Sequence, residues 1–157
     1  MRLLVFCEAP ADFRMVASLV DRVLREEGPV WVREHLEFRQ LRIVIGCPDL
    51  EREAWVLAGF EPENAAERAR LDGEHGDLGF SPCEEAHRLR DKDDRGQRSP
   101  KRVLAAFTSG EAGREERCWT DTPLERLRAR GVESGLRRFL DEVAGSIVPL
   151  FETTRSA

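Results

Sequence analysis

Residues 43–60, IVIGCPDLEREAWVLAGF, leave the chain few ways to fold. Ile43, Val44 and Ile45 form a β-branched apolar run, too short and too uniformly apolar for a half-exposed strand. Such a run reads as a buried strand of a mostly parallel sheet. Gly46-Cys47-Pro48 breaks it. Asp49 stands at a helix N-cap position, and Leu50, Ala54, Trp55 and Leu57 supply an apolar helix face. The spacing predicts strand, tight turn and a helix that opens with acids. In open α/β sheets ligands bind at the carboxyl ends of strands. Cys47, Asp49, Glu51 and Glu53 then lie where chemistry is expected. Trp55 is read as core rather than as a stacking platform.

The opening of the chain repeats the pattern. Residues 3–6, LLVF, read as a second buried strand ending in Cys7-Glu8-Ala9-Pro10. Phe13, Val16, Val20, Val23 and Leu24 fall on one helical face, and Gly28 is the natural stop. Two strands joined through a helix favour a right-handed parallel crossover. Glu8 and Asp49 would then face one crevice. Glu8 is either a carboxylate capping the helix that begins near Pro10 or a general base. Cys7 and Cys47 read as small buried apolar residues.

A chain of 157 residues is about one domain's worth, so a single domain over residues 1–157 is expected, with residues 152–157 a frayed tail. The net charge of −5 argues against a strongly basic nucleic-acid binder. The apolar start is too short to span a membrane, and Glu8 follows it closely. These features place the protein in the cytoplasm. The four cysteines are widely spaced without a CxxC pair, so reduced thiols are expected. A zinc site using Cys83 and His87 is the weaker alternative.

Further along, a short helix is expected over residues 64–71 and a glycine-rich loop over residues 72–80. Ser81-Pro82-Cys83-Glu84 and Thr122-Pro123-Leu124-Glu125 have the form of capping boxes with proline at the first helical position. Residues 90–98 read as a charged loop and residues 110–116 as a polar one. Ser99-Pro100 opens another helix, with Val103, Leu104 and Phe107 on its apolar side. The last helix is expected over residues 133–150, with Leu136, Phe139, Leu140, Val143, Ile147 and Leu150 as its buried stripe. The densest basic run is His87, Arg88, Arg90, Lys92, Arg95, Arg98, Lys101 and Arg102, diluted by Asp91, Asp93 and Asp94. It reads as a salt-bridged surface or as a phosphate-contacting loop. In the second reading Lys101 and Arg102, at a helix start, are the phosphate ligands.

Three strings resemble a toprim-like bacterial family of unknown function. Residues 51–58, EREAWVLA, resemble its acidic E-x-E-A-W-L-L-A signature. Residues 3–12, LLVFCEAPAD, look like its opening strand and following glutamate. Residues 99–104, SPKRVL, are similar to its PK-x-x-L helix start. The resemblance implies an α/β fold: a small, mostly parallel toprim-like sheet with surrounding helices and a helix-rich C-terminal half. It implies Mg²⁺ in an acidic crevice, Glu8 and Glu53 in catalytic roles, and Asp49, Glu51 and Glu53 on the metal. One element has no counterpart. Between Gly28 and Arg42 the acids are Glu34 and Glu37, and the family's Asp-x-Asp pair is missing.

Two functional expectations follow. The first is a toprim-like binding or interaction module, weakly active or non-catalytic. The alternative is an Mg²⁺-dependent, nuclease-like enzyme acting on phosphodiesters. The partners implied are a nucleic acid or a partner protein, with a homo-oligomer if the sheet leaves an exposed edge.

Overall fold

The computed structural model describes residues 2–3, 10–27, 41–42, 48 and 51–149. They form seven helices and one short ladder. The elements in chain order are β1 (Arg2–Leu3), α1 (Pro10–Glu27), β2 (Leu41–Arg42), α2 (Arg52–Ala58), α3 (Ala65–Leu78), a 3₁₀ turn (Ala86–Arg88), α4 (Pro100–Thr108), α5 (Ala112–Thr120), α6 (Leu124–Arg130) and α7 (Leu136–Ser146). The chain groups into two compact units. One is Met1–Cys47 with Arg138–Ala157, the other Pro48–Arg137.

This architecture overturns the expected α/β fold and the toprim-like resemblance with it. The only extended pairing among the described residues is a parallel two-residue ladder, Arg2 opposite Leu41 and Leu3 opposite Arg42. Two residues per strand cannot form a sheet for helices to pack on; working strands run about 5–6 residues. The runs read as strands, residues 4–6 and 43–45, lie outside the described residues. A short apolar run does not by itself distinguish a strand from other buried segments, and that ambiguity carried the expectation.

In the first unit the stripe read on α1 is buried: Val16, Val20, Val23 and Leu24, joined by Met15 and Leu19. Phe139, Leu140 and Val143 form the buried stripe of the last helix, as the spacing predicts; Ile147 is buried just past its end, and Leu150 lies outside the described residues. That helix is shorter than expected and ends at Ser146.

The second unit is built around α2. Five consecutive residues, Ala54 to Ala58, are buried, so this helix is apolar all round and must be enclosed. The helices α4 and α5 and the 3₁₀ turn pack on it, and α3 packs on α4. Trp55 is 2% exposed, which agrees with its reading as core, and its indole N–H donates to the Ser134 carbonyl at 2.7 Å. Phe60 and Phe107 stack with ring centroids 4.7 Å apart. The C-terminal carbonyls of α2 are met from α6, where the Arg130 guanidinium donates to the Ala58 and Phe60 carbonyls. The Thr122 hydroxyl donates to the Gly59 carbonyl at the end of α2.

Gly59 marks the closest approach in this unit. A Cβ placed there would collide with the Cys118 backbone carbonyl. Its φ of −95° suits any residue, so the constraint is space rather than torsion. Gly59→Ala should therefore destabilise the protein by about 1–3 kcal/mol, the cost of overpacking a dense core. Chemical denaturation measures this, and a loss within about 0.5 kcal/mol would show that α2 and α5 are not in this contact.

Three segments depart from the sequence reading. Residues 72–78 are helical rather than loop, and α3 ends at Gly79, which takes the left-handed conformation at φ 74°. Residues 112–116 belong to α5. Ser81-Pro82-Cys83-Glu84 forms a turn before the 3₁₀ segment instead of opening an α-helix. Ser99 does cap α4 as read, its hydroxyl accepting from the Arg102 N–H at 3.4 Å.

Candidate functional site

The carboxylates singled out in the sequence do not assemble into a chelate among the described residues. The N-cap of α2 is Glu51, without a side-chain capping bond, and Glu8 and Asp49 lie outside the described residues. One Glu51 oxygen is 3.8 Å from the Lys101 ammonium; the other is buried without a hydrogen-bond partner. Glu53 stands 3.4 Å from Arg52, which also holds Glu115 at 3.2 Å. Each acid thus faces a cation rather than a shared ion. No group of three or more His, Cys, Asp or Glu among the described residues is placed to hold a metal. The described residues thus give the expected Mg²⁺ site no support. The nuclease-like reading is overturned, since neither the sheet edge nor the metal cluster it needs is present among the described residues.

The two basic residues read as phosphate ligands are engaged with acids. Lys101 lies 3.3 Å from Asp94, and this bond followed by Glu51 holds its ammonium in the charged form. Arg102 grips Glu74 with two bonds of 2.7 Å. It also donates to the Gly96 and Gln97 carbonyls. It is a strut that ties α3 and the 90–98 loop to α4.

The described thiols do not act as nucleophiles. Cys83 and Cys118 are buried and free, and loss of solvation pushes both pKa values up to about 12. The thiolate is the reactive form, so neither is poised for attack.

The strongest electrostatic feature is buried and was not read in the sequence. Arg114 on α5 is fully enclosed and donates to both oxygens of Glu67 on α3, at 2.9 and 3.0 Å. Its guanidinium lies 4.5 Å above the Phe60 ring and also donates to the Glu61 carbonyl. Glu67 in turn accepts from the Glu63 N–H at 2.8 Å. The hydrogen bonds from Arg114 hold the Glu67 carboxyl below its usual range against the opposing effect of burial. The local signal was present: Asn64 and Glu67 stand at capping-box spacing, and the Asn64 side chain accepts from the Glu67 N–H at 2.9 Å. This pair anchors α3; it is not a reaction centre.

What α3 presents outward is unusual for a helix in water. Only Glu67 and Leu78 are buried along its length. At about 3.6 residues per turn, Ala65, Ala69, Gly73 and Gly76 share one side, and all four are exposed. A Cβ added at Gly73 or Gly76 would meet nothing within 4 Å. Arg68 and Asp72 border this side, both exposed, and neither makes an ion pair among the described residues.

No helix among the described residues is long and apolar enough to cross a membrane. The chain matches no family model, no curated protein and no solved structure.

Proposed function

We propose that the Pro48–Arg137 unit is a helical association module that pairs with a second copy of itself along the outer side of α3. The observation that carries this reading is the glycine pair. Each glycine inside an exposed helix costs about 1 kcal/mol relative to alanine, and among the described residues nothing lies within 4 Å of a Cβ added at either of them. Small residues are favourable where another helix backbone must come close, with axes about 8 Å apart.

The charges bordering this side complement themselves. In an antiparallel pair with its two-fold axis level with Arg70, Arg68 of each copy lies opposite Asp72 of the other. A C2 contact of this kind is self-complementary by construction. The 14 residues of α3 span about 21 Å, too little to bury the ~1,200 Å² of a standard stable interface. The pairing is therefore weak and reversible.

Sedimentation equilibrium across a range of protein concentrations tests the reading. Wild type should self-associate. Arg68→Asp should abolish this by setting like charges opposite each other, and Arg68→Asp combined with Asp72→Arg should restore it. Gly73→Leu should also abolish it while leaving the helical circular dichroism unchanged. A wild-type chain that stays monomeric at concentrations on the order of 1 mM, or a double variant that fails to recover, would refute the proposal.

A further inference from the structure

The 90–98 loop, read as a charged loop from the sequence, is tied down at several points. The Asp91 N–H donates to the Arg98 carbonyl at 3.2 Å, and the Gly96 N–H to the Asp93 carbonyl at 2.8 Å. The Asp91 carboxylate accepts from the Arg98 N–H at 2.8 Å, and the Asp93 carboxylate from the Arg95 N–H at 3.0 Å. Arg102 holds the Gly96 and Gln97 carbonyls from beneath. The Gln97 amide reaches the Asp77 carbonyl at 3.1 Å.

These bonds sort the loop's charges. Two of its aspartates each spend an oxygen on backbone N–H groups, and Asp94 is paired with Lys101. The cations are not spent in this way. Arg90, Lys92, Arg95 and Arg98 are exposed, and none forms an ion pair among the described residues. Arg90 donates only to the His87 carbonyl. Arg98 leans toward the Phe80 ring at 5.9 Å, beside Arg88 at 4.1 Å. Elsewhere in this unit Arg52, Arg102, Arg114, Arg117, Arg126 and Arg130 all hold carboxylates. The loop thus presents four guanidinium and ammonium groups on a backbone already fixed. A partner that supplies anions gains their charge without first ordering the loop.

We propose that this loop is a docking surface for a short run of carboxylates on another protein. The size of the patch selects a short partner over a nucleic acid. The whole chain carries 30 acids against 25 Lys and Arg, so a long polyanion leaving the loop runs onto like charge. Base stacking has no platform here either, because Phe80 is 2% exposed. A segment of a few glutamates or aspartates fits within the patch and gains charge-assisted bonds to arginine. This surface is independent of association through α3.

The test is fluorescence anisotropy of a labelled oligoglutamate peptide of about eight residues, at about 20 mM and about 300 mM salt, where screening lengths differ severalfold. Binding should saturate at low salt and weaken at least about tenfold at high salt. Lys92→Glu with Arg95→Glu should abolish it. Neither side chain makes a hydrogen bond or ion pair among the described residues, so the melting temperature should not change. The same charge change on exposed positions of the other unit, Arg14→Glu with Arg138→Glu, should alter affinity less than about threefold, the scale of a change in net charge alone at screened distances. Absence of saturable binding at low salt would overturn the proposal, as would an equal loss in the control pair. Tighter binding of labelled DNA or RNA than of the peptide at matched salt would also overturn it, by assigning the loop to phosphates.

Discussion

Trp55→Ala should lower the unfolding free energy by about 3–5 kcal/mol, the range for removing a large aromatic from a core. The ring is at the centre of α2, the helix on which α4 and α5 pack, so its loss opens a cavity where several elements meet. Trp55→Phe separates two contributions. It keeps most of the apolar ring but removes the N–H that satisfies the buried Ser134 residue's carbonyl. An acceptor left unsatisfied costs about 1–3 kcal/mol. Urea unfolding followed by far-ultraviolet circular dichroism measures both. A loss under about 1 kcal/mol for alanine, the scale of a surface substitution, would place the ring outside the core.

Arg114→Met should cost about 3–5 kcal/mol, because breaking a buried pair from one side leaves the other charge enclosed and unpaired. Glu67 would keep only the Glu63 N–H. Replacing both partners, Arg114→Met with Glu67→Met, should recover most of the loss, since no lone charge remains. The pair also predicts a pH dependence with a definite sign. Arg114 holds the Glu67 carboxyl below its ordinary value of 4.5. A depressed carboxylate contributes stability that is fully present above the unfolded value and is lost as pH falls through the folded one. Wild type should therefore lose this contribution progressively below about pH 4.5. Glu67→Gln should lack that component of the acid transition. Unfolding curves for wild type and Glu67→Gln that keep a constant separation from neutral pH to about pH 3 would contradict the assignment.

The features legible in the sequence are those that depend on local spacing. The α1 stripe, the Ser99 cap and the burial of Trp55 each follow from a helical period or a side chain competing for one backbone N–H. That the described residues form no sheet beyond a two-residue ladder was not legible. Apolar runs such as residues 3–6 and 43–45 carry no period that separates strand from other buried structure, and a family resemblance then supplied a topology that the described residues do not form. The continuation of α3 through Gly73 and Gly76 was missed for a different reason. Two glycines argue against a helix locally, but Glu67 and Glu74 are gripped by arginines 47 and 28 residues further along. Contacts at that separation leave no mark within a local window. Polar α5 was missed likewise, because Arg114 and Arg117 are held by acids of the α2–α3 segment.

The candidate site shows the same division. The acids at the start of α2 and the bases at the start of α4 were found by type and position. Their roles follow from pairing across the fold: Lys101 with Asp94 and Glu51, Arg102 with Glu74, Arg52 with Glu53 and Glu115. The informative residues were instead those that neither pack against nor ion-pair with another side chain's charge among the described residues. They are the glycines of α3 and the cations of the 90–98 loop, and they become visible only once every neighbour has been located.

The most direct measurement of association along α3 is disulfide capture between copies bearing Ala69→Cys, with linked peptides identified by mass spectrometry. Ala69 sits on the outer side of α3 close to the proposed two-fold axis, so the introduced thiols of two copies should link under mild oxidation. Arg68→Asp in the same chain should suppress the link. An introduced cysteine at Glu125, on α6, should give none above background. A chain with Ala69→Cys that links no more readily than the chain with Glu125→Cys would contradict the account.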